Sequence, residues 1–425
     1  MKYYSLFFLL FLCISAKAQD NISLEYFISQ AKTHLPALQE NKNLQKLEEI
    51  QTKIIKVQNS AFDINITSEI LIAPYFNNNG KLIDITTNPS PEAYGYDVGI
   101  TNGGLYSSQL NITKNLFNQS VIDNLLFQNK LKNKARLLSS EENIHNLNKN
   151  LVETYIMAYQ LQLKEEINTK ILSDLNKRLE VVELMVKKGI LMESDYLLLQ
   201  LDLEQKKLEI QQIQGNFNKT INELYTLAGI PAEEVKQLLE PDLNTVPNPN
   251  HFYYQRKFTN DSLQIIADKQ VFENQYKPQL SAYGNTGLNA VEIPNIDHRF
   301  GVSAGVKLTI PIYDGHQKKY NEMKIELKQD SLNYFREYKK TEMQNNLKNI
   351  QEQMNSLNES KSSLETQLKK QENILEIYKG KLVQGQISII DYLNVVQNYK
   401  MNVYTKLQMQ TNSWLLQNQY NFTNW

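Results

Sequence analysis

The sequence predicts an α+β protein that is mostly α-helical and is built from two similar halves. Long stretches lack helix breakers, since the 425 residues include only 15 glycines and 11 prolines. Shorter segments alternate apolar and polar residues, and a set of motifs recurs at a fixed offset. Alternation with a period of two predicts strands, whereas apolar spacings of three, four and seven predict helices. Each half is therefore expected to contain strands followed by a long helical hairpin.

The N-terminus has the features of an export signal. Lys2 precedes an apolar run over residues 6–14, and Ala16-Lys17-Ala18 gives a small-x-small cleavage pattern. The run is shorter than the roughly 20 residues of a membrane-spanning helix. Cys13 raises the alternative of a lipidated N-terminus, which the bulky Leu12 before it disfavours. We predict a signal peptide over residues 1–18.

Composition argues against several classes of function. Cys13 is the only cysteine, so the predicted mature chain can form neither disulfides nor thiolate metal sites. A formal charge of −1 is unlike the basic excess of a nucleic-acid binder. The five histidines have no metal-site spacing, and no nucleophile elbow, phosphate loop or dinucleotide fingerprint occurs. We interpret mixed charges such as Glu204-Gln205-Lys206-Lys207 as a solvated helix face, and expect no enzyme and no cofactor.

An internal repeat relates the two halves. Two pairs of motifs share one offset of 196 residues, from Gly189 to Gly385. The pairs are Lys188-Gly189 with Asp195-Tyr196-Leu197 against Gln384-Gly385 with Asp391-Tyr392-Leu393, and Thr113 with Leu116-Phe117-Asn118 against Thr309 with Ile312-Tyr313-Asp314. Two matches at one offset indicate a structural duplication.

Four segments are candidate strands. Residues 62–72 and 300–312 alternate most clearly, residues 110–116 continue the pattern, and the weakest candidate begins at Lys277-Pro278-Gln279-Leu280. One face of the last segment is apolar and consists of Val302, Ala304, Val306, Leu308 and Ile310. Aromatic residues such as Phe117 and Tyr313 lie near strand ends, where an interfacial girdle and ordinary core packing are both consistent with the pattern.

The intervening stretches are predicted to be coiled-coil helices. Residues 119–187 contain no glycine or proline, and these 69 residues would form a rod of roughly 100 Å. Gly189 and Gly385 are the expected turns, because a left-handed residue commonly ends a helix. The returning helices are expected to reach about Ala228 and Gln419.

Four amphipathic strands cannot span a membrane alone, because open sheet edges leave backbone groups unsatisfied in lipid. The smallest transmembrane barrels have about eight strands, so several chains are expected to share one barrel. The alternative is an exported coiled-coil scaffold or adhesin-like protein whose strands never enter lipid. The first strand pair is 22 residues longer than the second, and the excess around residues 77–102 is predicted to be an extracellular loop.

Several motifs resemble the TolC family of outer membrane factors, also called the outer membrane efflux protein family. They are Leu24 through Ala31 to Pro36, Lys277-Pro278-Gln279-Leu280, Ile310-Pro311-Ile312-Tyr313-Asp314-Gly315 and the two Gly-x5-Asp turns. The resemblance implies a homotrimer with a 12-stranded outer-membrane β-barrel, four strands per chain, continued by an α-helical barrel through the periplasm. It implies a passive duct of a tripartite efflux or type I secretion system. Its implied partners are outer-membrane lipid, a periplasmic adaptor (membrane fusion) protein and an inner-membrane transporter.

The resemblance also assigns roles to the hairpin tips. Adaptor docking falls on Lys188, Gly189, Gln384 and Gly385, and the periplasmic aperture on Asp195, Asp391, Asn394 and Ile387. Asp391 would either form a cation-attracting ring or complement the dipole of the returning helix. The chain departs from better-known members at Asn394, where they have a second acid, and at Ile387, where some have a gate-locking arginine.

The expected domain order follows the duplication. It is a signal peptide (1–18), an N-terminal helical or equatorial segment (19–60), the first strand pair with its long loop (61–118), the first hairpin (119–228, tip near 188–195), an equatorial linker and helix (229–276), the second strand pair (277–314) and the second hairpin with the C-terminal end (315–425, tip near 384–391).

Overall fold

A computed structural model describes residues 21–34, 36–86, 88–96, 106–233, 237–245, 252–291 and 293–425. The predicted signal peptide and residues 97–105 of the predicted extracellular loop lie outside these ranges. The chain divides into two compact units. Unit 1 comprises Met1–Lys42, Leu137–Arg256 and Phe335–Trp425, and unit 2 comprises Asn43–Arg136 and Lys257–Tyr334.

Seven α-helices occur in the described ranges. They are α1 (Leu24–His34), α2 (Pro36–Ser60), α3 (Gln119–Lys187), α4 (Glu193–Ala228), α5 (Phe252–Glu273), α6 (Gln317–Val383) and α7 (Ile389–Thr423). The 69 residues of α3 are those that the absence of breakers indicates. Helix α7 runs to Thr423, slightly beyond the expected end near Gln419. None of the described helices combines the length and the apolar composition that crossing a membrane requires.

The strands are short by comparison with the helices. They are β1 (Asn21–Ile22), β2 (Asp63–Ile70), β3 (Tyr75–Asn78), β4 (Lys81–Asp84), β5 (Tyr106–Leu116), β6 (Gln237–Leu238), β7 (Gln279–Ala290) and β8 (Phe300–Thr309). Short 3₁₀ turns at Asn274–Tyr276 and Ile293–His298 precede β7 and β8.

Unit 2 is organised around a four-stranded antiparallel sheet of order β2-β5-β7-β8. Strand β7, which has the weakest sequence pattern, is a central strand of 12 residues. Its pattern is weak because it contains several small and polar residues. One of these is Gly287. A larger residue does not fit there, because a Cβ would lie only 2.2 Å from the Ser108 carbonyl oxygen. Strand β7 is thus defined by its two neighbours more than by its own alternation.

Unit 1 is a set of long helices around two apolar clusters. The first cluster joins α1 to α3 and α4 through Phe27, Tyr155 and Tyr225, whose rings meet edge to face. The hydroxyl of Tyr155 lies 2.7 Å from the Leu239 carbonyl oxygen and 3.0 Å from that of Ile22. Burial raises the pKa of Tyr155 far above its usual value, so the hydroxyl stays protonated and donates. This cluster holds the short parallel pair of β1 and β6 against the helices.

Candidate functional site

The first hairpin tip is a tight turn that ends α3 at Gly189. Gly189 has a φ of +67°, which is the left-handed conformation that glycine adopts without steric cost. Its amide donates to the Val186 carbonyl at 2.9 Å, and the Ile190 amide donates to the Met185 carbonyl at 2.9 Å. These two bonds form a Schellman motif, which satisfies carbonyls at the helix end.

The second tip repeats this geometry 196 residues later. Gly385 has a φ of +70°. Its amide donates to the Leu382 carbonyl at 3.0 Å, and the Gln386 amide donates to the Lys381 carbonyl at 2.9 Å. The sequence repeat therefore encodes the same helix-ending turn twice. Lys188 and Gln384, the residues before the two glycines, are both exposed.

The two acidic positions of the tips cap the returning helices. Asp195 is the third residue of α4, and its Oδ2 accepts a hydrogen bond of 3.1 Å from the Met192 amide. Asp391 is the third residue of α7; its amide donates to Ser388 Oγ at 3.1 Å, and Ser388 Oγ donates to its Oδ2 at 2.7 Å. Both arrangements satisfy amide groups at a helix start. Asp391 lies in the first turn of α7, as the dipole interpretation assumes, and its role in a cation-attracting ring stays a prediction.

An apolar cluster joins all four helices of the two tips. Its buried members are Leu175 and Val182 of α3, Leu199 and Leu203 of α4, Leu382 of α6, and Ile389, Tyr392 and Val396 of α7. The tips also touch, because a Cβ placed on Gly385 would lie 3.2 Å from Ile190 Cγ2, whereas one on Gly189 would have no neighbour within 4 Å. Ile387 is half-buried and packs on this cluster. Asn394 is exposed on α7.

Asp174 of α3 ties the first hairpin to the second by polar contacts. The Tyr392 hydroxyl lies 3.0 Å from Asp174 Oδ2, and Lys379 Nζ lies 3.4 Å from Oδ1. Tyr392 is completely buried, and burial together with the charge of Asp174 raises its pKa well above the usual value. The hydroxyl therefore stays protonated and donates to the carboxylate.

The sheet of unit 2 has one apolar and one polar face. Directly paired residues in an antiparallel sheet lie on the same face, and the register places even-numbered residues together. One row through all four strands is Ile66, Leu110, Thr286 and Val302, and the next is Ile64, Ile112, Gly284 and Ala304. The odd-numbered face has rows such as Asn65, Asn111, Asn285 and Ser303.

The two faces differ in what stabilises them. On the polar face, Asn111 Nδ2 donates to Thr67 Oγ1 at 2.8 Å and to Asn65 Oδ1 at 3.2 Å. On the apolar face, Ile66 is 73% and Val302 79% exposed, so neither is covered by the described part of the chain. A contiguous apolar surface of this kind marks an interaction site.

Comparison with known proteins bears on this architecture. No protein-family model matches the chain, and no curated protein sequence does. Solved structures do match over nearly the whole chain. CusC, a protein that undergoes conformational changes on folding and transmembrane channel formation, gives a TM-score of 0.72 at 14% identity. The match covers 94% of this chain and 91% of that one.

Two further matches have the same extent. The outer membrane protein VceC of Vibrio cholerae gives a TM-score of 0.69 at 13% identity, covering 94% of this chain and 96% of that one. The MtrE outer membrane channel of Neisseria gonorrhoeae, in its open state, gives 0.65 at 15% identity, with coverages of 94% and 88%. The chain has the fold of TolC-type outer membrane channels. The resemblance seen in its motifs is confirmed at the level of the fold.

Within this TolC-type fold, one polar cluster was missed by the sequence analysis. Lys400 Nζ of α7 lies 2.6 Å from Glu209 Oε2 of α4, and Lys206 Nζ lies 3.3 Å from the same oxygen. The Tyr404 hydroxyl adds a contact of 3.0 Å to Glu209 Oε1 and also meets the Asn168 amide. Lys206 and Lys400 are only 4% and 6% exposed.

The interpretation of Glu204-Gln205-Lys206-Lys207 as a solvated face is therefore wrong for Lys206. Its neighbours in sequence are exposed, but its position on the helix turns it toward α7 and Glu209. Burial alone would raise the pKa of Glu209, yet the hydrogen bond and charge of Lys400 outweigh it and hold that pKa below its usual value. Burial lowers the pKa of Lys400. The signal that could have found the buried Lys206 is its spacing of three and seven residues from apolar residues, which puts it on the buried face of α4 with Leu199, Leu203 and Ile213.

The described residues contain no group of three or more His, Cys, Asp or Glu side chains placed to hold a metal ion. His316 is exposed just before α6, and its amide donates to Asp314 Oδ1 at 2.9 Å.

Proposed function

We propose that this chain is one subunit of a homotrimeric, passive channel that spans the outer membrane and extends into the periplasm. It would serve as the duct of a tripartite efflux or type I secretion system, with no covalent chemistry and no cofactor of its own. The observation that carries the proposal is the sheet of unit 2, which has one mostly apolar face, interrupted by the paired Ser68 and Ser108 and by Lys114, and one polar face. An apolar exterior with a polar interior is the pattern of a transmembrane β-barrel.

The open edges of the sheet support a barrel that is shared between several chains. Strands β2 and β8 are the two edges, and in the described structure neither has a partner on its outer side. Lipid does not tolerate open edges. The strands alternate in direction along the order β2-β5-β7-β8, so β8 of one copy can pair antiparallel with β2 of the next. Four strands from each of three copies close a 12-stranded barrel.

The helices next to these edges fit the same assembly. Helix α2 leads into β2 and exposes the apolar stripe Leu47, Ile50, Ile54 and Val57. Helix α6 follows β8 and exposes Tyr320, Met323, Leu327 and Tyr334. Both stripes have spacings of three, four and seven, which is the pattern of a helix that packs on another helix. A head-to-tail ring would bring the α6 side of one copy to the α2 side of its neighbour.

The scaffold alternative requires the apolar face to be buried against protein. Val302, Val306 and Leu308 are instead exposed in the described structure. Phe117 and Tyr313, the two equivalent aromatic residues at the strand-to-helix exits, are 91% and 79% exposed. Exposed rings at strand ends favour an interfacial girdle over core packing.

The hairpin tips are proposed as the docking site for a periplasmic adaptor protein, which would link the duct to an inner-membrane transporter. Apolar side chains surround the turns: Leu184, Ile190, Met192, Val383 and Ile390 are all exposed. Lys188, Gly189, Gln384 and Gly385 would form the docking tips. Asp195, Asp391, Asn394 and Ile387 would lie at the aperture.

The architecture is tested by membrane fractionation, gel electrophoresis before and after boiling, and chemical cross-linking. We expect an outer-membrane species that resists SDS until it is boiled and that cross-links as a trimer. Conductance of the purified trimer in a planar bilayer would add direct proof of a pore. A water-soluble periplasmic monomer or dimer would contradict the proposal and favour the scaffold.

The docking role is tested by Gly385→Val. We expect the SDS-resistant trimer to persist while export is lost, because the left-handed turn and the contact with Ile190 leave no room for a branched side chain. Gly80→Val is the matched control, since Gly80 has a φ of +81° but lies in the turn between β3 and β4 and not at a helical hairpin tip. Loss of the trimer in Gly385→Val would contradict the assignment of Gly385 to a docking tip.

A further inference from the structure

The predicted extracellular loop contains a small folded lobe, which we define as residues 74–86 and 93–96. Strands β3 and β4 form a hairpin in it, with Phe76 paired to Ile83. Tyr94 adds a third segment beside this hairpin through an antiparallel bridge to Phe76, with backbone hydrogen bonds of 2.6 and 2.9 Å. Phe76, Ile83 and Tyr94 therefore lie side by side on one face of the lobe.

This face is apolar and uncovered. Phe76, Ile83 and Tyr94 are 48%, 58% and 73% exposed, although all three belong to hydrogen-bonded backbone. Phe76 also lines an apolar groove with Ile72 and Tyr96, which joins the lobe to the end of β2. Exposed apolar residues thus continue from Ile70, on the apolar face of the sheet, through Ile72 to Phe76 of the lobe.

The lobe is held in a fixed orientation by its opposite face. Tyr75 is buried and packs against Tyr106 of β5 and Val291 after β7. The ring lies on Gly95, where an added Cβ would come within 2.7 Å of it. Asn78 is buried and clamps the hairpin, since its side chain donates to Asp84 Oδ2 at 2.6 Å and accepts from the Ser90 amide at 2.8 Å.

The anchor places the lobe on one side of the sheet. Tyr106 is paired with Ile70 and Ala290 and belongs to the even-numbered, apolar face. Ala290 is almost completely buried, unlike most residues of that face. The lobe therefore lies over the loop-side end of the face that is turned to lipid in the proposed barrel, and away from the polar interior.

We propose that this lobe rests on the bilayer, with Phe76, Ile83 and Tyr94 inserted at the level where acyl chains meet headgroups. The inference rests on the proposed function. Strand β2 has eight residues, against 12 in β7; at about 3.4 Å per residue and a tilt of about 40° it spans about 21 Å, less than the apolar band of about 25 Å. The lobe follows β2 directly and supplies the missing apolar surface. Exposed tyrosines suit the headgroup level.

Site-directed spin labelling tests this placement. Cys13 is the only native cysteine, so single-cysteine variants can be labelled and the unmodified chain gives the blank. The test position is Ile83→Cys, and Leu82→Cys is the adjacent control on the opposite face of the same strand. Val302→Cys and Ser303→Cys give the lipid and water references on β8. The trimer is reconstituted in phosphatidylcholine–phosphatidylglycerol liposomes, and collision rates are measured with oxygen and with a water-soluble nickel chelate.

We expect the ratio of oxygen to nickel accessibility at Ile83 to approach that at Val302 and to exceed that at Leu82 several-fold. Tyr94→Cys reports on the same row if Ile83→Cys does not assemble. Water-like accessibility at Ile83 beside a lipid-like Val302 would overturn the lobe placement and leave the channel intact. Shielding of Ile83 from both reagents would also overturn it, because a protein then covers the row. A water-like Val302 would instead contradict the channel itself.

Discussion

The apolar clusters of unit 1 and the sheet of unit 2 place their apolar side chains in opposite ways. In the apolar clusters of unit 1 the large side chains are buried, and Phe27, Tyr155 and Leu224 are all inaccessible to solvent. In unit 2, the even-numbered residues of the edge strands β2 and β8 are exposed, as Ile66 and Val302 are. Both patterns are regular: helical spacing directs one set inward, and strict alternation directs the other to a single face.

The difference shows that exposed apolar side chains in a single chain do not by themselves indicate an unstable fold. A cluster such as that around Tyr392 stabilises the chain as it stands, because its members pack on each other. The apolar face of the sheet gains stabilisation only when lipid or another chain covers it. The two regions should therefore respond differently to the same kind of change.

The largest expected effect is that of Val302→Lys, which places a charge on the apolar face. A lysine facing lipid near the bilayer midplane costs about 2–4 kcal/mol, and each trimer would contain three. We expect the SDS-resistant trimer to disappear from the membrane fraction. Ser303→Lys, on the polar face of the same strand, should assemble normally. Equal assembly of the two variants would contradict the assignment of one face of the sheet to lipid and the other to water.

The second effect concerns the buried charges of unit 1. Glu209→Gln leaves Lys206 and Lys400 without their shared carboxylate. Removal of one partner of a fully buried pair costs about 3–5 kcal/mol, and the cost is smaller here because the Glu209 side chain is 28% exposed. We expect a clear fall in the thermal midpoint of the helical circular dichroism signal. Glu204→Gln, an exposed glutamate of the same helix, should change it little. A similar small shift in both variants would show that the cluster does not stabilise the fold.

The same cluster predicts a dependence on acid. The pKa of Glu209 is lower in the folded chain than its ordinary value. The contribution of Glu209 to the free energy of unfolding is therefore complete above the ordinary glutamate pKa. It is lost as the pH falls through the pKa that Glu209 has in the folded chain. Thermal midpoints measured from neutral to acidic pH should fall less steeply in Glu209→Gln than in the parent. Parallel curves would contradict this assignment.

A smaller effect separates the two tips. Alanine in a left-handed conformation costs about 1–2 kcal/mol, and this applies equally to Gly189→Ala and Gly385→Ala. Only Gly385 has a near neighbour, Ile190 Cγ2 at 3.2 Å from an added Cβ. We expect Gly385→Ala to lower the thermal midpoint more than Gly189→Ala. The reverse order would mean that the contact between the tips is absent in solution.

The smallest effect distinguishes the two helix caps. Ser388 caps α7 with its hydroxyl, so Ser388→Ala should cost about 1 kcal/mol. Met192 holds the equivalent position before α4 and makes no side-chain cap bond, so Met192→Ala should be close to neutral. Thermal midpoints of the pair measure the difference. Equal shifts would show that the serine hydroxyl does not contribute.

Much of the fold follows from local patterns in the sequence. The absence of glycine and proline predicted the bounds of α3. The repeated Gly-x5-Asp motif predicted both turns, because a left-handed helix end needs glycine whatever surrounds it. Alternation in β2 and β8 identified the apolar residues of each strand. The family motifs predicted the fold that the solved structures share with this chain.

Long-range contacts were beyond these patterns. The central position of β7 depends on register with β5 and β8, since its small residues show little alternation of their own. Heptad spacing places Lys206 and Lys400 on the buried faces of their own helices, but their shared contact with Glu209 depends on α4 packing against α7, which no single helix sequence reveals. The folded lobe after β2 was expected only as a loop, because its buried Asn78 and Tyr75 find their partners in distant segments.

The sequence by itself determined which residues could lie on one face of each element, because helix and strand periods are fixed by backbone geometry. Only the tertiary structure decided which faces are covered. Burial depends on what another segment of the chain places there, as α7 does for Lys206 and as no described segment does for Val302.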